Sequence, residues 1–205
     1  MAGPTPPSDP MADLEIDLSF QVDPEVAPGG EWACADPLIA GEGAEATWIA
    51  CLRCWLEALA PELPGALRAP SYSLGLSLVD DFSIAALNST WRQKEGPTDV
   101  LAFAAQDGSP PLPPGQGQAS FCECVELGDI VISLETAARQ AQEAGHGLDQ
   151  EVLFLASHGL LHLLGWDHPD EPSLEAMLNR QSDLLSHTTH LLQGAAGHCG
   201  GESPR

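Results

Sequence analysis

The chain has 205 residues, enough for one domain with a substantial core, and no apolar run long enough for a transmembrane helix. Lysine and arginine total 7 against 30 aspartates and glutamates, a formal net charge of −23. Such a chain repels polyanions at long range, which taken alone argues against nucleic acid as a partner.

The first basic residue is Arg53, so the N-terminus shows neither a secretory n-region nor an Arg-rich transit peptide, and the expected compartment is cytoplasmic. Residues 1–12 are rich in Pro and read as disordered. Leu14, Ile16, Leu18 and Phe20 alternate with polar neighbours, the period of a half-buried strand. Residues 24–43 read as a loop. An amphipathic helix follows over about 45–60, closed by Pro61 and Pro64. Residues 71–79 (SYSLGLSLV) form a second strand, and Asp81 is the expected N-cap of a short helix reaching about Trp91. Val100, Leu101 and Phe103 suggest a third strand, and 105–120, dense in Pro and Gly, a loop. LGDIVIS at 127–133 is a fourth strand. Ser133 or Glu135 then opens a helix to about Ala144, and Asp149 caps another over about 150–164. A last helix covers about 172–192, with Leu174, Met177, Leu178, Gln181, Leu184 and Leu185 in register. The Gly-rich tail, 193–205, is expected to be flexible.

The run His158–His168, HGLLHLLGWDH, carries the chemistry. On a helix, residues four apart share a face, so His158 and His162 project side by side. Gly165 can take a left-handed conformation, stop the helix and return His168 toward the same point. Three converging imidazoles can hold a zinc ion and leave its fourth position open, as catalytic sites do. The competing reading is an ordinary buried helix of Val and Leu. Three buried imidazoles without a shared partner would be costly, which favours the metal. The spacing HxxxHxxGxxH matches the zinc-binding run of metzincin proteases, which carry a Glu general base after the first His. Here that place is Gly159.

Cys51 and Cys54 form a CxxC and Cys122 and Cys124 a CxC, which together could build a structural zinc site. Cys51 and Cys54 fall within the helical pattern of Trp48, Ile49, Leu52, Trp55, Leu56 and Leu59, so small buried hydrophobes are the better reading. His187, His190 and His198 could form a second metal site, but their spacing brings in no obvious third ligand and they are expected in solvent; His146 reads as helix-terminal.

Residues 88–103, NSTWRQKEGPTDVLAF, hold Arg92 and Lys94, two of only seven basic residues. Beside a metal site an Arg can grip a phosphate and offset its charge; the alternative is a surface Arg paired with Glu95 or Asp99. Asn88, Thr98 and Asp99 look like capping and turn residues that hold the segment.

With these blocks in order, the chain resembles the YbeY family of bacterial endoribonucleases, also described as rRNA maturation factors. The matching blocks are Asn88–Phe103, Leu127–Ser133 and His158–His168, the last followed by Met177 and Gln181, and they span about 70–190. The resemblance implies an α/β (α+β) fold over 13–192, with one small mixed four-stranded sheet packed by about five helices. It implies one zinc per chain on His158, His162 and His168, with Arg92 in the same cleft as a catalytic residue. It implies zinc-dependent cleavage of ribosomal RNA, at the 16S 3′ end and in ribosome quality control. The implied partners are the small ribosomal subunit, one of its proteins and an Era-type GTPase. The chain departs from the family at Gly96, where a second basic residue is expected, at Trp166, where Tyr is usual, in its long 105–126 connection and in its acidity. The acidity fits docking through a protein partner that delivers the RNA. Two other readings stand beside this one: a metal-dependent peptidase or amidase, and a non-catalytic ribosome-assembly factor with structural zinc.

Overall fold

The computed structural model describes residues 14–24, 26, 38–39, 43–106 and 123–196, with side chains in the last helix as far as Thr188. Four strands form one sheet: β1 (Glu15–Val22), β2 (Ser71–Val79), β3 (Val100–Ala104) and β4 (Val125–Ser133). Their order is β1-β2-β4-β3, with β1, β2 and β4 parallel and β3 antiparallel to β4 at the edge. The helices are α1 (Ala44–Leu59), α2 (Asp81–Leu87), α3 (Leu134–Ala144), α4 (Leu148–Leu163) and α5 (Glu171–Ala196). The architecture is therefore the expected single α+β domain with a small mixed sheet and five helices.

Strand β2 shows why the sheet forms. Tyr72, Leu74, Leu76 and Leu78 are buried, while Ser71, Ser73, Ser77 and Val79 alternate with them on the more exposed face. The buried face receives α1 and α4, and α5 closes over both. Trp48 and Trp55 of α1 are fully buried, and each indole finds a backbone acceptor. Trp48 Nε1 donates to Leu38 O at 2.8 Å, and Trp55 Nε1 donates to Leu184 O at 3.1 Å, tying α1 to α5. Cys51 is fully buried between them and Cys54 is half-buried. Burial, with Cys54 nearby, pushes the Cys51 thiol up to about 12, so it packs as a small hydrophobe. Cys34, Cys122 and Cys199 lie outside the described residues.

Helix α4 is buried on nearly every side, from Val152 through Leu163. A helix apolar all round belongs in a core, and this one lies against β3, β4, α3 and α5. It packs closely on the sheet at Gly159, where an added Cβ would stand 2.8 Å from Ile130 Cγ2. A glycine here lets helix and strand come together.

Two caps differ from the sequence expectation. The cap of α2 is Asp80, whose carboxylate accepts from Ser83 N at 2.7 Å. Asp81 lies in the first turn instead and ties α2 to α3. Its Oδ1 accepts from the hydroxyls of Ser133 at 2.5 Å and Thr136 at 2.7 Å, and its Oδ2 pairs with Arg139 at 2.8 Å. Burial alone would raise the Asp81 carboxyl, but these donors outweigh it and hold it below its usual range. The cap of α4 is Gly147, and Asp149 sits in the first turn, where its charge suits the helix dipole. Ser133 does cap α3, accepting from Thr136 N at 3.1 Å. Helix α2 ends at Leu87 and continues as a π turn, Asn88–Arg92, closed by Gln93 at φ 56°. Helix α5 runs on to Ala196, past the expected start of the tail at 193. The expected disordered segment 1–12, the rest of the tail, and most of the loops 24–43 and 105–120 lie outside the described residues.

Gly159→Ala should lower the thermal unfolding midpoint by several degrees. Overpacking costs about 1–3 kcal/mol and outweighs the roughly 1 kcal/mol that Ala gains as a helix former. A midpoint unchanged in calorimetry would show that Ile130 yields freely.

Candidate metal centre

His158 and His162 lie one turn apart on α4, and their Nε2 atoms are 3.1 Å apart. The chain then has to reverse. Gly165 takes φ +90°, its N–H donates to His162 O at 2.9 Å, and Trp166 N–H donates to Leu161 O at 3.0 Å. This paired closure satisfies carbonyls left open at the helix end. The turn brings His168 back, so that its ring centroid lies 5.4 Å from that of His158 and 5.3 Å from that of His162. Asp167 fixes the turn by accepting from the His168 backbone N–H at 2.8 Å. Its carboxylate thus holds the backbone of a candidate ligand rather than the ring.

One ring nitrogen from each of the three histidines lies within 4.8 Å of the others, and this is the only such ligand group among the described residues. A tetrahedral zinc with bonds of 2.0–2.1 Å separates its ligand nitrogens by about 3.4 Å. The His158–His162 pair is already near that spacing, and the third imidazole offers a nitrogen within 4.8 Å of both. Burial, above all, pushes the His158 and His162 rings below the ordinary histidine range, and the neighbouring imidazoles add to this. Both rings are therefore held in the neutral form that a metal ligand needs. The donor set fits a divalent zinc.

The trio lines a cleft of about 960 Å³, whose wall includes Arg92, Lys94, Asp99, Trp166 and Leu178. Arg92 comes from the π turn, and its Nη2 donates to Ala102 O at 3.3 Å on the free edge of β3. Neither Arg92 nor Lys94 forms an ion pair among the described residues, whereas Arg139 and Arg180 are paired with carboxylates. The carboxylate of Asp99 is otherwise engaged. Its Oδ1 accepts from the Thr98 hydroxyl at 3.0 Å and Val100 N at 2.8 Å, and its Oδ2 from Gln140 at 3.0 Å. The buried Asn88 donates to Gly96 O at 3.0 Å and closes the loop that carries Lys94. Asn88, Thr98 and Asp99 thus hold this segment as the sequence suggests.

The remaining histidines stand apart. His146 follows the α3 cap Gly145 and lies 3.0 Å from the Glu151 carboxylate. His187 is exposed, with Nδ1 2.7 Å from Asp183 O. The His190 side chain and His198 lie outside the described residues. Sequence reasoning placed Gln181 in helical register without giving it a task. It is fully buried, with Oε1 3.1 Å from His158 Nδ1. A polar residue within the apolar stripe of α5 was the available signal.

The sequence model of a family described as Endoribonuclease YbeY matches residues 42–189. A protein named Endoribonuclease YbeY from Synechococcus sp. (strain RCC307) is 51% identical over 189 residues, covering 92% of this chain and 99% of the relative. One of the same name from Trichormus variabilis is 46% identical over 172 residues, covering 84% and 93%. A solution structure of a Thermotoga maritima protein shares the fold at a TM-score of 0.50 and 18% identity, covering 92% of this chain and 99% of that one. The chain belongs to the Endoribonuclease YbeY family.

Proposed function

We propose that this protein is a zinc-dependent endoribonuclease that matures the 16S 3′ end of ribosomal RNA and takes part in ribosome quality control. The observation that carries this reading is the meeting, in one cleft, of three converging imidazoles with two cations that have no carboxylate partner among the described residues. Zinc would be held by His158, His162 and His168, one ion per chain. When bound, it supplies Lewis acidity to the phosphodiester and lowers the pKa of water.

The protein's own groups do the rest. Arg92 grips the scissile phosphate and offsets the charge that builds on it. Lys94, on the same wall, draws the adjacent phosphate into an otherwise acidic surface. Gly159 leaves no carboxylate where a metzincin keeps its base, and Ile130 fills the space one would need. The RNA 2′-hydroxyl is then the candidate nucleophile, and Asp167 is committed to the turn of His168. A peptidase or amidase lacks its proton acceptor here.

A net charge of −23 sets the context of binding. Long-range repulsion favours delivery of RNA by the small subunit, through one of its proteins and an Era-type GTPase, over capture of free RNA. The folded domain of this reading is 13–192, working in the cytoplasm. Among the described residues no helix is long and apolar enough to cross a membrane.

Purified protein should bind about one zinc per chain and cleave 16S-type rRNA within small subunits. His162→Ala should lose both metal and cleavage. Arg92→Ala should keep the metal and lose roughly 10²–10³-fold in rate, the range for removing one donor to transition-state charge. Cleavage that persists equally in both variants would mark a contaminant and favour the assembly-factor reading. Zinc chelation gives a second measurement. A nuclease loses cleavage while circular dichroism is unchanged, whereas a structural zinc takes the fold with it.

A further inference from the structure

We propose that Gln181 is a positioning residue for the metal centre, whose amide fixes His158 in its Nδ1–H form and aims the Nε2 lone pair at the meeting point of the three imidazoles. This rests on reading the trio as a metal site, and it follows from an inventory of donors and acceptors. The Phe154 carbonyl can only accept, and Gln181 Nε2 lies 3.0 Å from it. The Ser157 hydroxyl also donates to that carbonyl, at 2.9 Å, which leaves its oxygen free to accept from Gln181 Nε2 at 3.4 Å. The amide is thereby oriented with its NH₂ toward α4's backbone. Its other end, Oε1, is the one 3.1 Å from His158 Nδ1.

A carbonyl oxygen only accepts, so Nδ1 must carry the hydrogen. In a neutral imidazole Nε2 is then bare, and Nε2 is the atom 3.1 Å from His162 Nε2. The Gln181 side chain is fully buried, so water does not compete for these bonds. Phe154, Ser157 and His158 are spaced i, i+3 and i+4, one stripe of α4 that a single side chain from α5 reads at once. An amide in this place, unlike a carboxylate, adds no charge. A bound divalent cation therefore faces three neutral ligands and keeps its full Lewis acidity.

Long-range ¹H–¹⁵N spectra of the metal-free protein read the His158 tautomer directly. The wild type should show Nδ1–H, and an Nε2–H form would overturn the proposal. Gln181→Met, close in shape but unable to accept, should lose that form. It should bind zinc roughly 10–100-fold more weakly in competition with a chromophoric chelator, with circular dichroism unchanged. Gln181→Glu keeps an acceptor against Nδ1 and should restore the Nδ1–H form and most of the affinity. Equal zinc affinity in wild type and folded Gln181→Met would overturn the proposal. Should Gln181→Met fail to fold, the wild-type tautomer decides. Failure of the wild type to bind zinc would remove both the metal site and this role, whereas zinc binding without RNA cleavage would remove only the nuclease reading.

Discussion

A helix that is apolar on nearly every side has to be enclosed, and α4 is enclosed by β3 and β4 on one side and by α3 and α5 on the others. That enclosure decides what its polar residues can do. His158 and His162 are drawn out of water with the helix, and burial holds both rings neutral. Two neutral imidazoles whose facing nitrogens are 3.1 Å apart can share at most one hydrogen between them. A cation would engage all three rings together. Gly159 lets the helix seat this deeply, Gly165 ends it, and α5 seals it with Gln181. The fold and the site are thus consequences of one packing decision.

Charge decides the rest. Seven basic residues cannot cover a surface that carries thirty acidic ones. Arg139 and Arg180 are spent on ion pairs, and Arg68 on the carbonyls of Pro61 and Leu63. Arg92 and Lys94 stand on the cleft wall without a carboxylate partner among the described residues. An acidic exterior with Arg92 and Lys94 on the cleft wall would repel polyanions in general, yet could accept one that is brought to it. This is a selectivity built from repulsion as much as from contact.

Much of this was legible in the chain. The strands of β1 and β2 follow from period-2 alternation, and α1 from the spacing of its tryptophans. The histidine run gave its own geometry, because i, i+4 spacing and a glycine turn are local. What escaped was non-local. Asp80 and Asp81 are equivalent on paper, and only the approach of α3 makes one a cap and the other a tie. The π turn at Asn88–Arg92 has no period to read, yet it sets where Arg92 reaches. Gly159 reads as a missing base in the sequence, and its second meaning, contact with Ile130, needed the sheet in place. Gln181 lies 23 residues from His158, and no local rule pairs them.

The central claim is that the three imidazoles hold a metal whose remaining position opens into the cleft of Arg92. A crystal structure with diffraction recorded on both sides of the zinc absorption edge tests it most directly. The account predicts one anomalous peak bonded to His158, His162 and His168, with no fourth protein ligand and with water or a soaked phosphate between it and Arg92. A peak closed off by a fourth side chain, or no peak in protein grown with zinc, would contradict it.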